Sequence, residues 1–203
     1  MGTTRKDIWN MALAKAGISK QLLDDKTLDS PTAKTVNMLY QPTLLSFLQE
    51  HSWNFAKRIV PLEQSDYEHI QWEYVYKYPS DCLYMRLITS KASVMTKDEV
   101  AVPYEIFTDE ADKSLLIGTD EAEAYGIYTT NDVSEAMFPP NFVQAFATRL
   151  AAELAMSLQG DRGKHLDLIQ IAAQLGEGSK EQNANENIQV AGDRDSKYQR
   201  SRL

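Results

Sequence analysis

The chain has 203 residues, 43% of them hydrophobic and 25% charged, and carries a net charge of −8 at neutral pH. That is enough material for one compact domain, or a core with a modest second unit, and no apolar run approaches the roughly 18 residues that would span a bilayer. The charge is uneven: from Asp98 to Glu135 eleven acidic residues face one base, Lys113, and without a basic patch to displace counterions a DNA-grasping role is not expected.

In chain order, a first helix is predicted from Thr4, whose hydroxyl can cap the amides ahead, with Asp7 placed to complete a capping box. Ile8, Trp9, Met11, Ala12, Leu13 and Ala16 give it an apolar face, and Gly17 stops it. A second helix is predicted from Ser30-Pro31, a cap followed by proline at the first helical position. Its stripe runs through Ala33, Val36, Tyr40, Leu44, Phe47, Leu48 and His51. Pro42 removes a backbone donor inside that pattern, which predicts a kink or a break.

From Arg58 to about Asn131 the period shortens to two. Trp72, Tyr74, Tyr76 and Tyr78 alternate with Glu73, Val75 and Lys77, the pattern of an aromatic-rich strand. Pro79-Ser80-Asp81 ends it. Further strands are predicted at Leu83 to Thr89, Val102 to Phe107, Ser114 to Ile117 and Tyr125 to Thr129. The simplest arrangement is one antiparallel sheet inserted between helices. Helix returns after Phe138-Pro139-Pro140, with Phe142, Phe146, Leu150, Leu154 and Leu158 at steps of four beside small alanines. Gly160 to Gly163 make a turn. A fourth helix follows on Leu166, Leu168, Ile169, Ala172 and Leu175, weakened by Gly176 and Gly178.

The expected class is therefore α+β: a discontinuous helical core at 1–57 and 132–182, a β-rich lobe at 58–131, and an extended arm at 183–203. The arm has little that is apolar beyond Ile188, Val190, Tyr198 and Leu203, so it cannot offset its ordering entropy alone. Its bases Arg194, Lys197, Arg200 and Arg202, with Tyr198 and Leu203 as anchors, suit capture by an acidic groove on another protein.

Catalytic signatures are sparse. The sequence holds no HExxH, GxSxG or GxxxxGK[ST] pattern. Gly176-Glu177-Gly178-Ser179-Lys180 imitates a phosphate loop but follows a helix rather than a strand. Cys82 is the only cysteine, so internal disulfides are excluded, and it reads as a small residue at a sheet edge rather than a nucleophile. With His51, His69 and His165 as the only histidines, no metal or cofactor is expected. The pairs Asp24-Asp25, Asp109-Glu110 and Glu121-Glu123 could serve glycoside hydrolysis, but acids on turns are ordinarily solvated. Trp53 and Phe55 read as core rather than as a partner-binding anchor, and the three tyrosines as a packed face rather than a base-stacking platform. The opening MGTTRKDIWNMALAKAG has no signal-peptide pattern, so synthesis and use on the cytoplasmic side of the producing cell are expected.

Four segments then carry a likeness. Ile8-Trp9-Asn10-Met11-Ala12-Leu13 with Gly17, Ala33 and Tyr40 resembles the start of phage tail tubular protein A and related head-to-tail adaptors. Ser52-Trp53-Asn54-Phe55-Ala56-Lys57-Arg58 is similar to that family's hinge between helices and sheet. Tyr74-Val75-Tyr76-Lys77-Tyr78-Pro79-Ser80-Asp81-Cys82-Leu83 resembles its tyrosine-rich strand ending in Pro-x-Asp. The fourth segment is Pro140 to Leu158, with Phe142 and Leu150-Ala151-Ala152-Glu153-Leu154-Ala155.

The resemblance implies an antiparallel α-helical bundle carrying a β-rich lobe, in a ring of about twelve copies with the portal above and a nozzle of the tail tubular protein B type below. It implies a non-enzymatic adaptor in the virion tail at the head–tail junction, present in the host cytoplasm during assembly and touched by DNA only in transit. Its outer surface can receive tail fibres. By position, the arm residues Arg194, Lys197, Tyr198, Arg200, Arg202 and Leu203 are the candidate portal-binding site. The acidic stretch either lines the channel, repelling phosphate, or faces outward or a partner; its concentration in the lobe favours the second. The rival readings are a tail-associated peptidoglycan hydrolase and a helical interaction module unconnected with virions.

Overall fold

The computed structural model describes residues 2–18, 23–24, 28–96, 100–111 and 113–186. It is mixed helix and sheet, with antiparallel strands throughout. Helix α1 spans Arg5–Lys15 and starts on the expected capping box: Thr4 Oγ1 accepts from the Asp7 amide, and the Asp7 carboxylate accepts from the Thr4 amide at 2.9 Å. Gly17, at φ 75°, supplies the left-handed turn after it. Helix α2 spans Pro31–Gln49 behind Ser30, whose hydroxyl accepts from the Ala33 amide. The helix is continuous through Pro42, so the expected break does not occur. Pro42 and Met38 are both exposed, so the Met38 carbonyl left without its usual donor can turn to water. Ala33 to Leu48 form the buried stripe as expected, while His51 lies beyond the helix end and is half-buried.

A 3₁₀ turn at Asn54–Ala56 leads into β1, Lys57–Pro61. The remaining strands are β2 Tyr74–Lys77, β3 Cys82–Ser90, β4 Tyr104–Thr108, β5 Leu115–Thr119 and β6 Ala124–Thr130. A short helix α3, Lys91–Thr96, follows β3. The expectation of a single sheet is corrected: there are two three-stranded sheets, ordered β1-β6-β3 and β2-β5-β4. Tyr76, Met85, Ile88, Ile117 and Tyr128 form a core that joins them. The tyrosine strand is also shorter than its alternation predicted, and Val75 is buried where it should have been exposed. The reason is local. Residues 64–72 fold back over the outer face of the second sheet, so that the Trp72 ring lies on Gly118, where a Cβ would meet it at 2.3 Å. A glycine is required there by the close approach.

Helix α4 spans Pro140–Leu154 and continues as one π turn, Ala155–Gln159, closed by Gly160 at φ 66°. Helix α5 then runs Arg162–Glu186 without interruption. The helix runs through Gly176 and Gly178, and one expectation is corrected: Asn183–Glu186 belong to α5 rather than to an extended arm. The buried face is Leu168, Ala172, Gly176, Ser179 and Asn183, whereas Leu166 and Leu175 are exposed. This face is small, and α4 packs closely on it. A β-carbon at Gly176 would sit 3.8 Å from the Phe47 ring, and one at Gly178 would meet nothing within 4 Å. Replacing Gly178 by alanine should therefore raise stability by about 0.5–1 kcal/mol, read as a higher urea midpoint with unchanged slope; a lowered midpoint would contradict this account of α5.

Helices α1, α2, α4 and α5 share one large core. Trp53, only 1% exposed, is stacked on Phe47 at 5.8 Å and set edge-on to Phe142 at 5.0 Å. Phe55, Phe138 and Phe146 extend the same aromatic group. The reading of Trp53 and Phe55 as core is borne out.

Candidate docking surfaces

Three polar junctions tie the elements together: one joins β3 to the end of α2, one binds the turn before β3 to β6 and β1, and one pins α5 to the hinge. The first is Arg86 on β3. Its Nη2 donates to the carbonyls of Leu48, Gln49 and His51, at 3.3, 3.1 and 2.7 Å, and its Nε donates to Thr129 Oγ1. The guanidinium thereby takes carbonyls from the end of α2, where the helix dipole also favours a cation. Its planar face lies 4.5 Å from the centroid of the Tyr84 ring.

The second is Asp81, in the turn before β3. It accepts from Tyr128 Oη at 2.8 Å and Thr130 Oγ1 at 2.9 Å, with Arg58 Nε at 3.5 Å. Burial works to raise its pKa, but the two hydroxyl donors and Arg58 outweigh burial and hold the carboxyl below its ordinary value. Glu135 behaves alike. Burial opposes ionisation there, and Arg5 Nε at 2.8 Å with Tyr40 Oη at 3.3 Å prevails, so its pKa too is lowered. A carboxylate whose folded pKa lies below its unfolded value contributes stability above the unfolded pKa, and loses it as pH falls through the folded one. The fold should weaken below about pH 4. Asp81→Asn and Glu135→Gln should each flatten the acid limb of a plot of urea midpoint against pH; an unchanged limb in both would remove these groups from the account.

The third junction pins the end of α5 to the hinge. Asn183 Oδ1 accepts from the Asn54 amide at 2.8 Å, and its Nδ2 donates to the Ser52 carbonyl at 2.9 Å. These two backbone partners fix the amide orientation. His51 Nε2, at 3.2 Å from the same Nδ2, must then accept, which requires neutral imidazole protonated on Nδ1. Burial, then the charges of Lys180 and Arg86, depress the His51 pKa in the same sense. Nothing in the sequence pattern singled out Asn183; a lone asparagine on a small-residue helix face is the signal that could have. Asn183→Ala leaves a backbone donor and acceptor unpaired in a half-buried site and should cost about 1–3 kcal/mol; a loss below a few tenths in urea titration would show the junction to be idle.

The candidate arm residues Arg194, Lys197, Tyr198, Arg200, Arg202 and Leu203 lie outside the described residues. The acidic stretch does not form one uniform face. Glu135 pairs with Arg5, Glu123 with Lys91 and Asp132 with Arg58, while Glu105 accepts from Trp72 Nε1 at 3.1 Å. Of the acid pairs considered for hydrolysis, Asp109 accepts from the Ala111 amide in its own turn, Glu110 and Glu123 are exposed, and Asp25 is outside the described residues. Cys82 is half-buried and donates to Tyr78 Oη at 3.1 Å, and burial pushes its thiol up, away from the thiolate a nucleophile needs. Tyr76 Oη donates to the Glu121 carbonyl at 2.7 Å. Gly176 to Lys180 are helical, not a loop. No group of three or more potential metal ligands occurs among the described residues, and no helix among them is long and apolar enough to cross a membrane.

Exposed apolar side chains are spread over the molecule, and one group of them lies on the second sheet and its cover. Ile70 is fully exposed at the tip of residues 64–73, Ile106 is 40% exposed on β4, and Tyr67 and His69 pack on Phe107 at 5.7 and 4.6 Å. An open cleft of about 670 Å³ under this segment is lined by Asp66, Glu68, Glu73 and Asp120 and by no lysine or arginine. A wide polar cleft with exposed apolar rims suits a polypeptide partner better than an enclosed small molecule. No known family model matches the chain, and no curated protein matches it either.

Proposed function

We propose that this chain is a structural head-to-tail adaptor of a short-tailed bacteriophage, one of about twelve copies in a ring between portal and tail nozzle, and not an enzyme. One observation carries the reading: four segments resembling that family occur in the family's order, and their most distinctive residues coincide with junctions that hold the chain together. Trp53 is the centre of the aromatic core where α2 meets β1. Asp81 of the Pro-x-Asp turn binds the end of β6. Leu150, Ala151 and Leu154 are fully buried on α4.

On this reading the helices act as a bundle against neighbouring copies and the strands form a lobe inserted between them. The ring interface is heterologous and closes by rotation. Isolated subunits are monomeric and close on the portal as template, leaving a conduit for the genome; fibres attach outside. The mature protein resides at the head–tail junction. Residues beyond α5, with Arg194, Lys197, Tyr198, Arg200, Arg202 and Leu203, form an arm that orders on docking and supplies much of the assembly energy. Deleting residues 187–203 should abolish assembly on the portal while the circular dichroism and melting of the monomer persist. A truncated protein that still docks normally would remove the arm from the mechanism.

A further inference from the structure

The junction between the end of α5 and the hinge is compatible with only one protonation state of His51. Asn183 is 8% exposed, and its side-chain amide has three partners there. Oδ1 accepts from the Asn54 amide at 2.8 Å, while Nδ2 donates to the Ser52 carbonyl at 2.9 Å and to His51 Nε2 at 3.2 Å. A backbone N–H can only donate and a backbone C=O can only accept, so the first two partners fix which end of the amide faces His51.

A proton on Nε2 would set an N–H against an N–H of Asn183. Turning the Asn183 amide over exchanges that conflict for two others, Oδ1 against the Ser52 carbonyl and Nδ2 against the Asn54 amide. Turning the ring over fails as well, because imidazolium has no acceptor nitrogen. The surroundings compensate little. The charged groups facing His51 are Lys180 and Glu177 on α5 and Arg86 on β3. Glu177 is engaged by Lys180 at 2.8 Å, and Arg86 donates to the carbonyl of His51 itself at 2.7 Å. The Trp53 ring stands nearly perpendicular to the imidazole at 5.0 Å.

We infer that His51 is a proton-sensitive latch: protonation of its imidazole breaks the contact with Asn183 and frees the last turn of α5, Asn183 to Glu186, from the hinge. The same turn is held by Asn54 Nδ2, which donates to the Asn183 carbonyl at 2.8 Å, so the bonds across the junction loosen together. Beside them lies a cavity of about 20 Å³ bounded by Trp53, Pro139, Phe142 and Ser179, room for about one water. Lifting the turn therefore opens the edge of the aromatic core to solvent.

The sign follows from linkage. In the closed junction the imidazole is neutral, and burial, then the charges of Lys180 and Arg86, hold its pKa below the ordinary value. Opening returns the ring to about 6.5, so the open form binds more protons and gains on the closed form as pH falls through that value. Asp81 and Glu135 stay ionised in this window, because both are held below ordinary carboxylate values. The latch thus acts at a higher pH than the one at which the whole fold weakens. It is a property of the fold and does not depend on the adaptor reading.

Hydrogen exchange of the full chain, followed by NMR and corrected for the intrinsic pH dependence of exchange, tests the latch. Protection of the Asn54 amide should fall at least about fivefold from about pH 7.5 to about pH 5, while that of the Leu150 amide in the helical core holds. His51→Gln supplies an amide oxygen that accepts at every pH, so the fall at Asn54 should vanish. Should that variant fail to fold, Lys180→Gln serves. It removes a cation and leaves Glu177 unpaired beside the ring, so the ring-proton titration of His51 should move to higher pH and the fall at Asn54 should shrink. Constant protection of the Asn54 amide in the natural chain, an undiminished fall in His51→Gln, a parallel fall at Leu150, or an unmoved ring titration in Lys180→Gln would each overturn the latch.

Discussion

Trp53→Ala should be the most damaging single substitution, lowering unfolding free energy by about 3–5 kcal/mol. The indole is buried to 1% and touches rings from three separate parts of the chain: Phe47 on α2, Phe55 in the 3₁₀ turn and Phe142 on α4. Its Nε1 lies 3.4 Å from the Phe47 carbonyl, so the site is polar at one corner only. Removing the ring leaves a cavity bounded by helices tied through other contacts, which limits collapse. A protein of this kind has only about 5–15 kcal/mol in total, so the variant should be partly unfolded at moderate temperature. Urea denaturation read by fluorescence and circular dichroism measures it. A loss below about 1 kcal/mol would mean that the aromatic group is not the keystone of the helical core.

Arg86→Met should cost the next most, about 3 kcal/mol, although Arg86 is only half-buried. Methionine keeps much of the aliphatic stem, so the loss isolates the guanidinium. The carbonyls of Leu48, Gln49 and His51 and the Thr129 hydroxyl would lose a charged donor together, and hydrogen bonds to charged groups are worth about 1.5–3 kcal/mol each. They do not add fully, because water can reach some of these oxygens once the side chain is gone. Hydrogen exchange should show the last turn of α2 opening more often in the variant. A lysine replacement should recover little, since a single ammonium cannot present the planar fork to three carbonyls and a hydroxyl. Full rescue by lysine would reduce the site to a simple charge effect.

Local chemistry was legible in advance where the partners are near in sequence. The Thr4–Asp7 capping box, the Ser30–Pro31 start and the glycine turns at 17 and 160 each depend on residues within four positions, and each appears as expected. Five of the six strands were legible too, from aromatic and β-branched alternation, whereas β1 was not expected. Sheet membership was not, because pairing β1 with β6 and β2 with β5 joins residues scores of positions apart. Helix α5 was misread for a related reason. Its leucines suggested a face, but close packing against α4 and the Phe47 ring of α2 selects small residues instead, so Gly176 and Ser179 are inside and Leu166 and Leu175 outside. Pro42 shows the opposite error, in which an exposed position tolerated what a buried one would not.

Mixing the purified full chain with portal protein and imaging the product by electron microscopy tests the adaptor reading most directly. A closed ring of about twelve subunits seated on the portal is expected, with the chain alone staying monomeric under the same conditions. A chain that leaves the portal bare at every concentration tried, or that clears cell-wall substrate in a zymogram, would contradict it.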